Sequence, residues 1–572
     1  MSDRLAAIRC APAVGGLALL AWASSCDQSR DPTPQPAIPA SVEYLTPVQH
    51  LVRISMALRG TRPALAELDA VEEDPVWLPA IVEHYLDSPE LGATIREMHA
   101  EQLLVDVDGS IYPAGFPAVG ELADMDVQRI NQSIVEAPLR LIEHVVTQDR
   151  PYHEVVTADY TLADPITSIV FGIPHDAEGP EWQVTHYEDG RPHAGVLSDS
   201  FVFTRHSSTF SNRNRGRANA IARAFLCYDF LDRHVEIDSN IDLADEEAVA
   251  HAIRENEACV SCHQTLDPLA SHFAEYTPIF VPSQIEEYPF RFYGHPYSRL
   301  MRVTDPAFFG TPSSNAQDLG VLVASDPRFA LCTARRFYGY LAQVAPEDVP
   351  LELASRLSDT FLLGGMNAKA LLRAIVLSDE FRVASATDET EALEARGLLK
   401  ARPTQIARMV QDLTGYRWTT RLPIDLGYGR VGDIDLMTDA FFGFEVLAGG
   451  TDSQSVTRPA FTMTATAALA LRGLAAHAAP FAVDADFDES DPARRWLLSS
   501  IDESESDETR VRAQLAELSR RVHGERVAVD DPAVDALWSL WSGALTEPDS
   551  STRRAWTMTL YAMLQDIQVA YY

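Results

Sequence analysis

Residues Arg254–Phe273 read RENEACVSCHQTLDPLASHF, and everything around this stretch has to be reconciled with Cys259, Cys262 and His263. Two thiols three residues apart with an imidazole directly after them form a spacing with chemical meaning. It fits a covalent haem attachment, a metal clip or a disulfide. The stretch has no Gly-rich turns or β-branched alternation, so its setting is helical.

The helical pattern continues outward on both sides. Upstream, RGRANAIARAFLCYDFL (Arg215–Leu231) reads as an amphipathic helix. Downstream, AQDLGVLVASDPRFALCTARRFYGYLAQV (Ala316–Val344) reads as two helices broken at Ser325-Asp326-Pro327. Near the start, PVQHLVRISMALRG puts Leu51, Ile54, Ala57 and Leu58 on one face and stops at Gly60. Residues 160–200 are richer in Gly and Pro and read as loops with a short hairpin, and residues 277–316 look irregular. The fold class expected is mainly α, a multi-domain helical-bundle architecture with irregular loops and a cytochrome-c-like haem segment around the motif.

A loose internal repeat recurs as a helix rich in Arg and Leu, a turn, a second helix, then a third ending in an acidic stop. Its copies run from His50 to Leu91, from Arg335 to Phe381 and from Leu515 to Tyr572. At 572 residues the length implies about four domains. The boundaries expected are a signal peptide at 1–25, a Pro-rich tether at 26–44 and an N-terminal helical domain at 45–165. A loop-rich and helical middle domain follows at 166–250. A cytochrome-c-like and helical domain at 251–395 and a C-terminal helical domain at 396–572 complete the chain.

The first 26 residues suggest a compartment. Arg4 and Arg9 precede an apolar run from Ala11 to Ala23, the build of a secretory signal. Ala23-Ser24-Ser25-Cys26 resembles a bacterial lipobox with Cys26 as the acylated residue, although Leu usually stands where Ala23 does. Ala21-Trp22-Ala23 offers ordinary cleavage instead. The expectation is export, to the periplasm or the outer-membrane surface, with attachment through a lipid anchor only. No later segment reads as long and apolar enough to cross a bilayer.

Export sharpens the cysteine count. With Cys10 inside the signal and Cys26 at the anchor, four of the six cysteines remain. In an oxidising compartment bare thiols seldom persist. If Cys259 and Cys262 carry haem through thioethers, Cys227 and Cys332 are left as a natural disulfide pair. Two buried free cysteines are the alternative. A net charge of −37, from 46 basic and 83 acidic residues, argues against a nucleic-acid binder; it would steer in a basic protein partner, or is simply a solubility feature. A zinc site would need a second Cys/His pair, and a redox Cys-x-x-Cys would sit on a βαβ unit. No G-x-S-x-G, H-E-x-x-H or Walker loop occurs.

The haem c reading assigns both cysteines to the porphyrin vinyls and His263 to the iron. For the sixth position Met301 is the first candidate, with His295 second; His272 follows His263 too closely. The four arginines 213, 215, 217 and 223 are candidates for a clamp on haem propionates, or are simple helix-start charge.

The order of several segments carries a resemblance. APLRLIEHVVTQDRPYHEVVTADYT (Ala137–Thr161), the run Arg191–Cys227, NEACVSCHQTLDPLASHF (Asn256–Phe273), the run Asp318–Leu341 and NAKALLRAIVLSDEFR (Asn367–Arg382) come in a familiar sequence. They resemble the large cytochrome-c-like proteins of planctomycetes and myxobacteria, built from several domains of unknown function. RPTQIARMVQDLTGYRW (Arg402–Trp418) and FEVLAGGTDSQSVTRP (Phe444–Pro459) resemble the C-terminal part of the myxobacterial branch. Related chains often carry Met before the Asp-Pro that is Asp267-Pro268 here; this chain has Leu266. The resemblance implies an exported, haem-bearing protein; the function expected is electron transfer or haem-based redox chemistry at the cell envelope, with an unknown redox partner. It implies no substrate. The competing expectation is a non-catalytic envelope scaffold or binding lipoprotein in which the motif is a structural disulfide.

Overall fold

The start of the body shows how this sequence makes helices. Thr46 caps a helix opened by Pro47, and Gln49 returns a bond to the cap, so the first orphan N–H groups are satisfied before the apolar face begins. Gly60, at φ +70°, ends the helix in the left-handed region that glycine adopts without strain. The computed structural model describes residues 42–105, 119–232, 241–242, 244–276, 287–294, 296–386, 397–421 and 433–572. The expected signal, tether and lipidation site at Cys26 lie outside these residues.

Helices of nine residues or more are numbered here in chain order. They are α1 Pro47–Arg59, α2 Leu65–Glu73, α3 Leu78–Leu86, α4 Pro89–Leu103 and α5 Val127–Thr147, then α6 Arg215–Leu226, α7 Glu246–Glu255 and α8 Glu257–Ala270. There follow α9 Ala316–Ser325, α10 Pro327–Ala342, α11 Leu351–Leu363, α12 Ala368–Val376 and α13 Pro403–Thr414. The last four are α14 Ala465–Asp488, α15 Glu508–Leu518, α16 Pro532–Ala544 and α17 Thr552–Leu564. Strand is confined to short antiparallel pairs among the described residues. Thr161–Ala163 pairs with Gln183–Thr185, the hairpin expected in the Gly/Pro-rich stretch, with a short helix Pro165–Phe171 between its arms. The protein is mainly α.

The three repeat-like stretches share one arrangement. Each is three helices joined by short turns: α1–α3, α10–α12 and α15–α17. The third helix ends at an acid-marked turn in all three: Asp87, Asp379 and Asp566. The first two units pack side by side. Lys369 of α12 pairs with Asp87 at 2.9 Å and with Asp149 at 3.1 Å, and Arg373 pairs with Glu83. The third is tied back by Arg520 to Asp69 and Glu72, and by Arg521 to Asp412 at 3.2 Å.

The domains expected between residues 45 and 572 share one continuous apolar cluster, running from Leu51 to Tyr572. Two seams explain why. Val42–Tyr44 pairs antiparallel with Val383–Ala386, and the buried Arg53 below it donates to the carbonyls of Phe381, Val383 and Gly397. Tyr572 exchanges main-chain bonds with Leu399 at 2.9 and 3.0 Å, bringing the last residues onto the segment that leads into α13.

α14 departs from the sequence reading. By length and composition it is long and apolar enough to cross a membrane. Half of its most apolar window is buried here, and it lies along α17. Its buried Asp486 accepts bonds from the backbone N–H groups of Trp496, Leu497 and Leu498.

Candidate functional site

The motif lies in the first half of α8. Asn256 caps this helix, accepting from the N–H groups of Ala258 and Cys259, so both cysteines belong to regular helix. Cys259, Cys262, His263 and Leu266 follow the i, i+3, i+4, i+7 spacing that places them on one face. That face is half-buried at the two cysteines and His263, and sinks into the core at Leu266 and Leu269. Cys262 packs against the core. Both thiols are free.

One turn beyond His263, Asp267 holds the imidazole. Nδ1 of His263 donates to Oδ1 of Asp267 at 3.0 Å. The same carboxylate receives Arg215, the first residue of α6, as a bidentate partner, with Nε to Oδ1 at 2.6 Å and Nη2 to Oδ2 at 2.9 Å. This leaves Nε2 of His263 without a hydrogen-bond partner among the described residues. A carboxylate on one ring nitrogen fixes the tautomer and aims the other, the usual arrangement behind a metal-ligating histidine. Burial works to raise the pKa of Asp267, but the hydrogen bonds from Arg215 and His263 outweigh it and hold it below the ordinary value.

Asp267 side-chain exposure is 7% and Arg215 exposure 18%, so the pair is largely shielded from water. Asp267→Asn is expected to destabilise the protein by about 2 kcal/mol, because the Arg215 charge loses its counter-charge in a semi-buried site. Because the folded-state pKa of Asp267 is lowered, its contribution is present above the unfolded carboxylate pKa. It disappears as pH falls through the folded value. Thermal unfolding of wild type and variant should therefore converge in acid; a gap that stays constant from neutral pH down would contradict the role given to Asp267.

The other sequence candidates separate. His272 has both nitrogens engaged, Nδ1 with the Leu269 carbonyl at 2.9 Å and Nε2 with Ser313 Oγ at 2.6 Å. His295 lies outside the described residues. Met301 ends the short helix Ser298–Met301 and is fully buried. Just beyond it, the Thr304 N–H reaches Ser271 Oγ, next to the end of α8, at 3.4 Å.

The four arginines do not converge on one clamp. Arg215 is taken by Asp267. Arg217 is buried, with bonds to the His206 carbonyl and Asn214 Oδ1. Arg213 donates to the Phe210 carbonyl, and Arg223 lies at the far end of α6. Sequence reading marked Asp267 only as part of a recurring Asp-Pro. Its spacing of four from His263 on a helix was the available signal for a side-chain pair.

Cys227 and Cys332, expected as a pair, are joined by a disulfide with their Cα atoms 5.3 Å apart. It ties the C-terminal end of α6 to α10. Among the described residues no three His, Cys, Asp or Glu side chains converge closely enough to hold a metal ion. Chemically, the α8 face offers two thiols able to form thioethers and an imidazole able to ligate through Nε2. Comparison with protein-family models, with curated proteins and with solved structures finds no match to this chain.

Proposed function

We propose that this chain is an exported c-type haem protein that serves electron transfer or haem-based redox chemistry at the cell envelope. The observation that carries the reading is the pairing of two free thiols on one helical face with an imidazole whose Nδ1 is pinned by Asp267. Cys259 and Cys262 would hold the porphyrin through thioethers, and Nε2 of His263 would ligate its iron. When bound, that group supplies reversible one-electron chemistry. Asp267, held by Arg215, keeps the imidazole in one tautomer and orientation. The stacking of α6 against α8 keeps this carboxylate in place. Met301, with His295 as its rival, would be the second protein ligand to that iron. Cys26 is the proposed lipid anchor, and the acidic surface of a chain at −37 suits a basic redox partner.

Expression in a host able to attach c-type haem, followed by haem staining of the denatured protein, tests the reading. The wild type should stain. Cys259→Ala and Cys262→Ala should each stain weakly or not at all, whereas His263→Ala should retain covalent haem with altered absorption bands. An unstained wild-type band would overturn the proposal and leave an envelope scaffold.

A further inference from the structure

A cleft of about 680 Å³ opens between α4, the C-terminal end of α6, α10 and residues 457–461. Its volume is in the range of small-molecule sites, roughly 300–1,000 Å³. Five arginines and five carboxylates line it, a neutral balance in a chain that is otherwise strongly acidic.

The arginines are not equally provided for. Arg402 pairs with Glu101 at 2.8 Å and Arg458 with Glu347 at 3.1 Å. Arg223, Arg335 and Arg336 have no described carboxylate within ion-pair distance. Arg336 donates through Nη2 to the Arg223 carbonyl, which closes the last turn of α6 and accounts for one of its nitrogens. The Nε atoms of Arg335 and Arg336 are buried without a hydrogen-bond partner. So is the hydroxyl of Tyr340, one turn along α10, whose ring lies 3.8 Å under the Arg402 guanidinium. Burial first, and the Arg223 charge second, lower the Arg336 pKa to about 10. Buried donors without acceptors are costly in a protein interior. A ligand presenting oxyanions would supply the counter-charge that these three guanidinium groups lack.

We propose that this cleft binds a small organic anion bearing carboxylate or phosphate groups, held by the guanidinium groups of Arg223, Arg335 and Arg336. Guanidinium groups grip such oxygens in pairs, which favours carboxylate and phosphate over a monatomic anion. The site is independent of the haem reading. Arg215, at the N-terminal end of α6, serves the motif, while Arg223 faces the cleft eight residues further on, roughly 12 Å along the helix.

Titration calorimetry on the full, disulfide-bonded chain tests this, with citrate, pyrophosphate and glucose as probes. At least one of citrate and pyrophosphate should bind, weakening at high salt, and glucose should not. Binding of citrate alone identifies a carboxylate site, and tighter binding of pyrophosphate identifies a phosphate site. Arg335→Gln, which removes one guanidinium from the cleft wall, should weaken the bound anion about tenfold, with a cooperative thermal transition of the free variant showing that it folds. Arg223→Gln, which removes a second guanidinium from the cleft, should weaken it to a similar extent and gives the same readout if Arg335→Gln does not fold. Failure of both anions to bind, or undiminished affinity in Arg335→Gln and Arg223→Gln, would overturn the proposal.

Discussion

The double variant Cys227→Ala, Cys332→Ala should unfold at a clearly lower denaturant concentration than the wild type. The bond closes a loop across a sequence separation of 105 residues. In the chain-entropy description a loop of about that length removes on the order of 4–5 kcal/mol of freedom from the unfolded chain. Its ends are rigid: Cys332 is buried in the middle of α10, and Cys227 directly follows α6. Gln102 also donates to the Ala224 carbonyl in the last turn of α6, so this junction is braced from α4 as well. Guanidinium unfolding followed by tryptophan fluorescence measures the shift. Reduction of the wild type should reproduce it, and a midpoint unmoved in both the variant and the reduced protein would contradict this account.

Acid should act as strongly, and through three histidines. His50, His99 and His206 are buried, and burial lowers each pKa to about 4. Each sits as the neutral imidazole. His50 Nε2 donates to the Val376 carbonyl, His206 Nε2 to that of Leu103, and His99 lies between the Ile95 carbonyl and the Tyr152 hydroxyl. In the unfolded chain these groups take up protons near pH 6.5; in the folded chain they resist until about pH 4. Folded pKa values below the unfolded ones mean that stability is complete above about pH 6.5 and is lost as pH falls toward 4. The loss is on the order of 3 kcal/mol per histidine at its largest. Asp199 acts in the opposite sense. Burial lifts its pKa to about 6, so protonation in the same window returns stability equivalent to about one histidine. The net loss remains a large part of the 5–15 kcal/mol typical of folded domains. Thermal midpoints between pH 7.5 and 4 should fall steadily, and a flat profile would exclude neutral buried histidines at these positions.

Local features were legible in the sequence. The Thr46-Pro47 and Asp326-Pro327 starts, the Gly60 stop and the three-helix repeats all follow from capping and period, which act within a few residues. The Cys227–Cys332 pair was legible because few cysteines remained to choose from. The shared core was not. Arg53 reaching Gly397, Lys369 reaching Asp87 and Tyr572 pairing with Leu399 join residues hundreds of positions apart, and no window of sequence contains both partners. The destinations of the arginines were hidden for the same reason. Arg215 and Arg223 look alike in RGRANAIARAF, yet one meets a carboxylate and the other faces a cleft. At the motif, the thiols and imidazole were plain and the carboxylate behind them was not, since Asp267 acquires its meaning only when Arg215 arrives from 52 residues upstream.

The disulfide also decides which sulfurs can react with which. Four cysteines can pair in three ways, and two of those ways would bond the thiols of α8 to Cys227 and Cys332. The bond between Cys227 and Cys332 takes both other sulfurs out of exchange, and buries one of them. After it forms, Cys259 and Cys262 have only each other as oxidation partners among the described residues. Whatever chemistry reaches the motif therefore meets two thiols that the Cys227–Cys332 bond leaves unpaired.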